Sequence, residues 1–210
     1  MWTATAFLGG HPALDFLNTA GGSSKDRGVE RLTDFGVAAG WAHAAGVIDD
    51  AEHHDLLTVS ATDPAEAVEA VTELRGQREA LHAFLLAGID GTDCSVAVRE
   101  RVTADITAGY RTARLSHRLH DDPAWVVTEG QAGLRLIAIR LALAGGALLA
   151  GGQRDQIRVC GRCSWMFLDP SPTRRRRWCS MAICGNRAKV QRHQQRGPSQ
   201  VEPAGRSGEP

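Results

Sequence analysis

Four cysteines near the C-terminal end most constrain how this chain can fold. Cys160 and Cys163 form a Cys-x-x-Cys pair, and Cys179 and Cys184 follow after fifteen intervening residues. Two short cysteine pairs at this separation can bring four thiolates onto one tetrahedral ion, and thiolate sulfur at about 2.3 Å favours zinc. Four protein ligands leave no position open for water, so the spacing predicts one structural Zn²⁺. A pair of disulfides or a set of unrelated free thiols is the alternative.

The formal net charge of zero hides a separation of charge along the chain. Residues 1–150 carry 12 basic and 20 acidic side chains, whereas residues 151–196 carry 11 basic side chains and only Asp155 and Asp169 as acids. An acidic body joined to a basic module indicates that the module approaches a polyanion such as DNA. A solvated charged surface without a partner is the alternative.

The basic module contains two groups of cationic side chains suited to phosphate contacts. One is a run of four arginines before Trp178, and the other lies on a predicted C-terminal helix, where Lys189, Arg192 and Arg196 share a face. Guanidinium groups bind phosphate oxygens in a bidentate geometry. The predicted nucleic-acid contacts are Arg174, Arg175, Arg176, Arg177, Arg187, Lys189, Arg192 and Arg196.

Hydrophobic periodicity before the cysteines predicts a mainly α body. Segments 111–120 and 125–128 are expected to form a small β-hairpin across Asp121-Asp122-Pro123, and residues 129–149 one buried helix. The finger is expected to place Cys-x-x-C at the turn of a β-hairpin and to end in a helix capped by Ser180 or Asn186. Earlier helices are expected to start at Thr33 or Asp34, at Asp49-Asp50, at Asp63-Pro64 and at Val96. The helix that starts at Asp63-Pro64 is expected to carry an apolar stripe at Val68, Val71, Leu74, Leu81 and Leu85.

The sequence thus predicts three parts. Residues 1–152 form a helical domain, residues 153–196 a small four-cysteine zinc finger of β-hairpin and helix, and residues 197–210 a tail rich in Gly, Pro, Ser and Glu that is expected to be disordered. About forty residues bury too little apolar surface to fold alone, so the finger is predicted to need its metal. Trp165 and Trp178, which flank zinc ligands, are expected to form its small core.

The segment around the cysteines resembles the CGNR zinc finger, a family named after the tetrapeptide that is Cys184-Gly185-Asn186-Arg187 here. The resemblance runs over residues 157–196 and includes Phe167-Leu168-Asp169 and Trp178-Cys179-Ser180-Met181. Residues 9–19 resemble the start of the ABATE domain, an alanine-rich helical domain described as a stress-induced transcriptional regulator. The resemblance implies that the four cysteines are the zinc ligands and that the chain is a bacterial DNA-binding regulator.

Three polar residues in the opening segment form a second candidate site. His11, Asp15 and Asn18 lie three to four residues apart, so on a helix they share one face. They are candidates for a ligand pocket in which the helical domain senses a small-molecule effector. In the alternative interpretation, they cap the helix or bridge it to neighbouring segments.

The remaining sequence carries no recognisable catalytic or export signal. We found no Ser-His-Asp set, carboxylate pair or phosphate-binding loop, so we expect that the chain is not an enzyme. No secretory signal is recognisable, and the most apolar stretch, residues 134–150, contains Arg135 and Arg140 and is shorter than the roughly 20 residues of a membrane span. The sequence predicts a cytoplasmic protein without a membrane partner.

The favoured function is a DNA-binding transcriptional regulator whose helical domain senses a signal or forms a homodimer. An RNA-binding module is the first alternative, in which Trp165 and Trp178 stack on unpaired bases. A protein-interaction adaptor is the second, in which the basic finger docks an acidic partner or the chain's own acidic body. The third is a ligand-binding or catalytic body with the finger as a structural appendage.

Overall fold

The computed structural model describes residues 2–116 and 125–195, and over these the fold is mainly α with two small antiparallel hairpins. The helices are α1 (Pro12–Leu17), α2 (Phe35–Ala44), α3 (Asp50–Thr62), α4 (Pro64–Asp90), α5 (Val96–Thr112), α6 (Glu129–Ala132), α7 (Leu136–Ala150) and α8 (Asn186–Gln195). The strands are β1 (Arg114–Leu115), β2 (Trp125–Val126), β3 (Ile157–Val159) and β4 (Met166–Leu168). Short 3-10 turns cover Ala4–Ala6, Gly133–Arg135 and Arg154–Gln156, and a π-helical turn covers Met181–Gly185.

Side-chain caps fix the starts of the body helices where the sequence predicted them. The Asp34 carboxylate accepts a hydrogen bond from a backbone N–H in the first turn of α2, and Asp63 does the same for α4. Asp49 and Glu52 form a reciprocal capping box at the start of α3. These carboxylates satisfy N–H groups that have no partner inside the helix.

Two sequence predictions in the body are wrong in detail. The single helix predicted over residues 129–149 is interrupted, because Gly133 adopts φ of 54° and a 3-10 turn separates α6 from α7. The left-handed region favours glycine, so the break has a local cause. Val68 does not join the buried stripe, since it is 64% exposed. It lies in the first turns of α4, where Ala67 and Ala70 occupy the buried face, so Val68 points to solvent.

The apolar core lies between α1, α2, α4, α5 and α7. Trp41 of α2 is its largest fully buried side chain and packs with its ring centroid 5.8 Å from that of Phe16. The stretch Glu129–Ala150 is long and apolar enough to cross a membrane by length and composition alone, since an 18-residue window within it has a mean hydropathy of 1.7. In the structure, α7 packs against α1, α4 and α5, which gives this composition a role in the core.

The finger hairpin shares the apolar core of the body. In the β3–β4 register, Ile157 lies opposite Leu168 and Val159 opposite Met166. Ile157, Met166 and Leu168 are at most 7% exposed and belong to the same apolar cluster as the helices. Because alternate residues of a strand face opposite sides, Phe167 points away from the body and packs with the cysteines. The charge boundary near residue 152 therefore does not separate two independent cores.

Parts of three sequence predictions lie outside the described residues. The turn across Asp121-Asp122-Pro123 is one, although β1 and β2, which flank it, form the antiparallel pair that the sequence predicted. Arg196 and the tail of residues 197–210 are the others.

Candidate metal centre and the surface around it

The four cysteines predicted as zinc ligands lie together, and each is buried. Cys160 follows β3, Cys163 lies in the turn before β4, Cys179 follows the arginine run, and Cys184 lies in the π-helical turn. Their sulfur atoms all lie within 4.8 Å of one another. A hairpin, a loop and a helix start thus supply one compact set of thiol groups.

The sulfur–sulfur distances fit a tetrahedral zinc ion. Sγ of Cys163 lies 3.8 Å from that of Cys179 and 3.7 Å from that of Cys184, and the Cys179 and Cys184 sulfurs are 3.6 Å apart. Four sulfurs at about 2.3 Å from one ion stand about 3.8 Å apart at the corners of a tetrahedron. None of the four cysteines is in a disulfide. The set holds one structural zinc, with no coordination position left for a substrate.

Aromatic side chains surround the cysteines, as predicted. Trp165, Trp178 and Phe167 pack against the cluster. Gly161 makes room for this packing, because a Cβ atom there would lie 3.0 Å from the Trp178 ring. On the other side, Trp165 donates its indole N–H to the carbonyl of Ala20 at 3.1 Å. The two tryptophans are therefore structural parts of the finger and of its contact with the body.

Arg176 stabilises the metal centre from within the arginine run. Its guanidinium donates to the backbone carbonyls of Trp178, at 2.9 Å, and of the zinc ligand Cys179. It also lies 4.3 Å above the centroid of the Phe167 ring. Its backbone N–H donates to the Asp169 carboxylate at 2.9 Å. Arg176 was predicted to bind phosphate, but its donors are committed to the loop that carries Cys179.

The other three arginines of the run are exposed and point to different surroundings. Arg174 has a left-handed backbone, with φ of 47°, and donates to the carbonyl of Asp155 at 3.2 Å. Arg177 lies 5.2 Å from the Trp178 ring centroid. Arg175 has no side-chain hydrogen bond to the described residues. The four arginines are adjacent in the sequence, but their side chains make different local contacts.

The final helix is exposed on all sides. No residue of α8 is buried, and it packs chiefly against the π-helical turn that contains Cys184. Lys189 and Arg192 lie on one face, whereas Arg187 lies with Gln191 and Gln194 on another. Arg187, Gln191 and Gln194 line an open groove beside Arg162 of the finger turn. Ser180 caps the π-helical turn through the N–H of Ile183 at 3.3 Å, which decides between the two predicted caps.

The body also supplies a cationic group to the finger, and sequence reasoning missed it. Lys25 donates its ammonium to the backbone carbonyl of Cys160, a residue 135 positions away. In the opposite direction, Arg162 donates to the carbonyl of Ser23 at 2.7 Å. A four-thiolate zinc site carries net negative charge, which these cations offset. Linear spacing holds no signal for contacts of this range.

His11 and Asp15 both serve the start of α1. The His11 ring nitrogen Nδ1 accepts a hydrogen bond from the backbone N–H of Ala13 at 3.2 Å, and His11 is the N-cap. The Asp15 carboxylate accepts from the N–H of Gly9 at 2.7 Å. Burial raises the pKa of Asp15 to about 6, although the bond from Gly9 opposes this rise. Burial also lowers the pKa of His11.

Asn18, the third member of the predicted pocket, lies apart from these contacts. Its amide nitrogen donates to the carbonyl of Met166 at 2.8 Å, and its amide oxygen accepts from the N–H of Met166 at 2.9 Å. Asn18 is 2% exposed. The three residues make the capping and bridging contacts of the alternative interpretation, and Asn18 attaches the body to the finger hairpin.

Buried ionisable side chains of α4 lie next to the same hairpin. Arg78, which is 2% exposed, donates to the Glu79 carboxylate at 2.8 Å. One turn along α4, the His82 ring lies 3.3 Å from the carbonyl of Ser164 in the finger turn. Burial lowers the pKa of His82 to about 4, and the positive charge of Arg27 adds to this shift. The body thus contacts the finger through an imidazole that is neutral near pH 7.

The chain matches two protein families. Residues 156–197 match the CGNR zinc finger, and residues 10–152 match ABATE, described as "Putative stress-induced transcription regulator". No curated protein matches the chain. The second match alone covers more than half of the 210 residues. With its four thiolates arranged for one zinc and its mainly helical body, the chain belongs to the ABATE family and carries a CGNR zinc finger.

Proposed function

We propose that this protein is a cytoplasmic regulator that binds duplex DNA through α8 and the neighbouring arginines of its zinc finger. The observation that carries the proposal is the exposure of α8. A ten-residue helix with no buried residue gains little from packing inside its own chain. The zinc-bound Cys184 fixes the turn from which this helix projects.

The dimensions and side chains of α8 suit the major groove. Ten residues give a helix about 15 Å long, and the major groove, about 12 Å wide, admits an α-helix. Arg187, Gln191 and Gln194 share one face and have the donors and acceptors that read base edges. Lys189 and Arg192 on the other face are available for phosphates.

Phosphate contacts are assigned to exposed cations whose donors are free. Arg175, Arg177 and Lys189 meet this condition among the described residues. Arg192 of α8 uses only its Nε, which donates to the carbonyl of Ala188 at 3.4 Å, and keeps both Nη groups for phosphates. Arg176 does not, since it binds backbone carbonyls around Cys179. The half-burial of both finger tryptophans favours duplex DNA over single strands, because stacking on unpaired bases needs an exposed ring face. We propose binding without catalysis, and the homodimer expected from the sequence stays a prediction.

The test is binding of the full zinc-loaded chain to random duplex DNA across a salt series. Each phosphate contact contributes about −0.9 to the slope of log K against log salt. The double variant R175Q/R177Q should bind more weakly and flatten the slope by about 1.8. The matched control is R111Q, which removes an exposed arginine of α5 and should leave the slope unchanged.

A second variant isolates α8. A chain that ends at Gly185 keeps all four cysteines and loses the exposed helix α8. Because α8 packs against the turn that contains Cys184, the zinc content of this variant is measured beside its DNA affinity. We expect it to lose at least tenfold in DNA affinity. Retained affinity in this variant, with a full complement of zinc, would refute the role of α8.

A further inference from the structure

A cleft of about 690 Å³ lies where the helical body meets the finger hairpin. It contains none of the zinc ligands and none of the α8 residues. Its apolar lining includes Phe84 of α4, Leu149 of α7 and Ile157 of β3. Sites for small molecules have volumes of about 300–1000 Å³ and occur preferentially at such boundaries. The size and position of the cleft suit an organic ligand.

Four arginines line this cleft, and they come from four different segments. Arg99 belongs to α5, Arg154 to a 3-10 turn, Arg158 to β3 and Arg174 to the arginine run. None of them forms an ion pair with a carboxylate of the described residues. Two aspartates also line the cleft, which leaves a formal excess of two positive charges beside an acidic body. This local excess favours an anion.

Two of the guanidinium groups converge on one acceptor. Arg158 and Arg174 both donate to the backbone carbonyl of Asp155, at 2.9 and 3.2 Å. Each uses Nη1 for this bond, and Nε and Nη2 of both side chains have no protein acceptor among residues 2–116 and 125–195. Like charges held this close repel, and an anion between them would relieve the repulsion.

The backbone of Arg174 supports the same interpretation. Arg174 has the only positive φ of any described non-glycine residue, at 47°. This conformation costs on the order of 1–2 kcal/mol per residue. Strain of this kind persists where the surrounding structure requires a particular placement of the residue. Here the strained backbone directs the guanidinium to the cleft, next to that of Arg158.

We propose that this cleft binds an amphipathic organic anion. The ligand is a small molecule whose carboxylate or phosphate is held by Arg99, Arg158 and Arg174, and whose apolar part lies against Phe84 and Leu149. Such a ligand contacts both the body and the segment that leads to Arg175. The site is separate from the proposed DNA surface, so either assignment can fail without the other.

The test uses the full zinc-loaded chain and isothermal titration calorimetry with defined probes. Octanoate and octyl phosphate carry an apolar chain and an anionic head, octanol lacks the charge, and inorganic phosphate lacks the chain. We expect octanoate or octyl phosphate to bind at least ten times more tightly than both octanol and inorganic phosphate. Comparison of octanoate with octyl phosphate identifies the head group that the cleft prefers. Equal binding of octanol, or no binding of either anion, would overturn the proposal.

Variants locate the binding. The double variant R158Q/R174G removes two guanidinium groups, and glycine at position 174 accepts the left-handed backbone without strain. It should bind the amphipathic anion at least tenfold more weakly. The matched control is R175Q, which changes the adjacent arginine outside the cleft and should bind like the parent chain. An equal loss in R175Q would show a nonspecific charge effect and contradict the site.

A second readout uses Cys94, a half-buried thiol that lines the cleft. Bound octyl phosphate or octanoate should slow its alkylation by N-ethylmaleimide, measured by mass spectrometry of the Cys94 peptide. The same R158Q/R174G variant should keep its affinity for duplex DNA. If that variant instead lost DNA binding as R175Q/R177Q does, the cleft arginines would belong to the nucleic-acid surface and the proposal would be wrong.

Discussion

The side chain of Asn18 binds both backbone polar groups of Met166, a residue 148 positions further along the chain. The Asn18 side-chain amide takes the place of a neighbouring strand at this edge of β4. It donates to the carbonyl of Met166 and accepts from its N–H, as the backbone of a paired strand would. Both groups are buried. The helical body therefore completes the hydrogen bonding of the zinc hairpin.

Replacing Asn18 with alanine should destabilise the whole chain. The change leaves the N–H and the carbonyl of Met166 buried without partners, and each such group costs about 1–3 kcal/mol. We expect the free energy of unfolding to fall by about 2–6 kcal/mol, measured by urea denaturation. The matched control is Q191A, at an exposed amide of α8 that has no side-chain hydrogen bond to the described residues, which should change stability by less than about 0.5 kcal/mol. Equal effects of the two variants would contradict the bridging role.

Removal of zinc should unfold more than the finger. Zinc binding contributes about 10–16 kcal/mol to folding in finger peptides, which matches or exceeds the roughly 5–15 kcal/mol stability of a typical domain. The hairpin supplies Ile157, Met166 and Leu168 to the core of the body. We therefore expect a strong chelator to change the fluorescence and near-ultraviolet circular dichroism of the body residue Trp41 together with those of the finger.

Metal analysis of two cysteine variants tests the same coupling. The parent chain and C94S should each hold one zinc per chain, because Cys94 lies outside the cluster. C184S should hold less than one zinc per chain and should melt at a lower temperature than the parent chain. A zinc-free C184S chain with the thermal stability of the parent would show that the body does not depend on the metal centre.

Substitutions of the adjacent residues Arg175 and Arg176 should have different effects on stability and on zinc retention. Arg176 holds the carbonyl of Cys179, whereas the side chain of Arg175 has no such contact. We expect R176Q to lower the free energy of unfolding by about 1–2 kcal/mol and to speed zinc transfer to a chromogenic chelator. R175Q should match the parent in both measurements and lose only DNA affinity. If R176Q transferred its zinc at the rate of the parent chain, the proposed stabilising role of Arg176 at the metal centre would be wrong.

The burial of His82 predicts a specific dependence of stability on pH. Its pKa in the folded chain is about 4, below the value of 6.5 for an exposed imidazole, so the unfolded chain binds the proton first. Stability from this group is therefore complete above about pH 6.5 and is lost as the pH falls towards 4, with a maximum slope of about 1.4 kcal/mol per pH unit.

The measurement is the difference in unfolding free energy between the parent chain and H82Q from pH 4 to 7.5. The parent should lose stability relative to H82Q as the pH falls through this window. H54Q removes an exposed imidazole of α3 and serves as the control for the loss of one histidine. A difference between parent and H82Q that stays constant with pH would contradict the low pKa.

The sequence by itself determined the metal centre and the class of fold. Cysteine spacing over short segments fixes which thiols can meet, so Cys160, Cys163, Cys179 and Cys184 were identifiable without coordinates. Helix starts such as Asp34 and Asp63 were also readable, because a cap acts on backbone groups only three residues away. Each of these signals is local in the chain.

Only the tertiary structure decided how the two parts join and which arginines remain free. The bond of Asn18 to Met166 and that of Lys25 to Cys160 depend on contacts between residues more than a hundred positions apart. Four consecutive arginines look equivalent in the sequence, but an irregular loop directs each side chain differently. Arg176 turns to the carbonyl of Cys179 and Arg174 to that of Asp155, since the folded surroundings determine which acceptor each guanidinium meets.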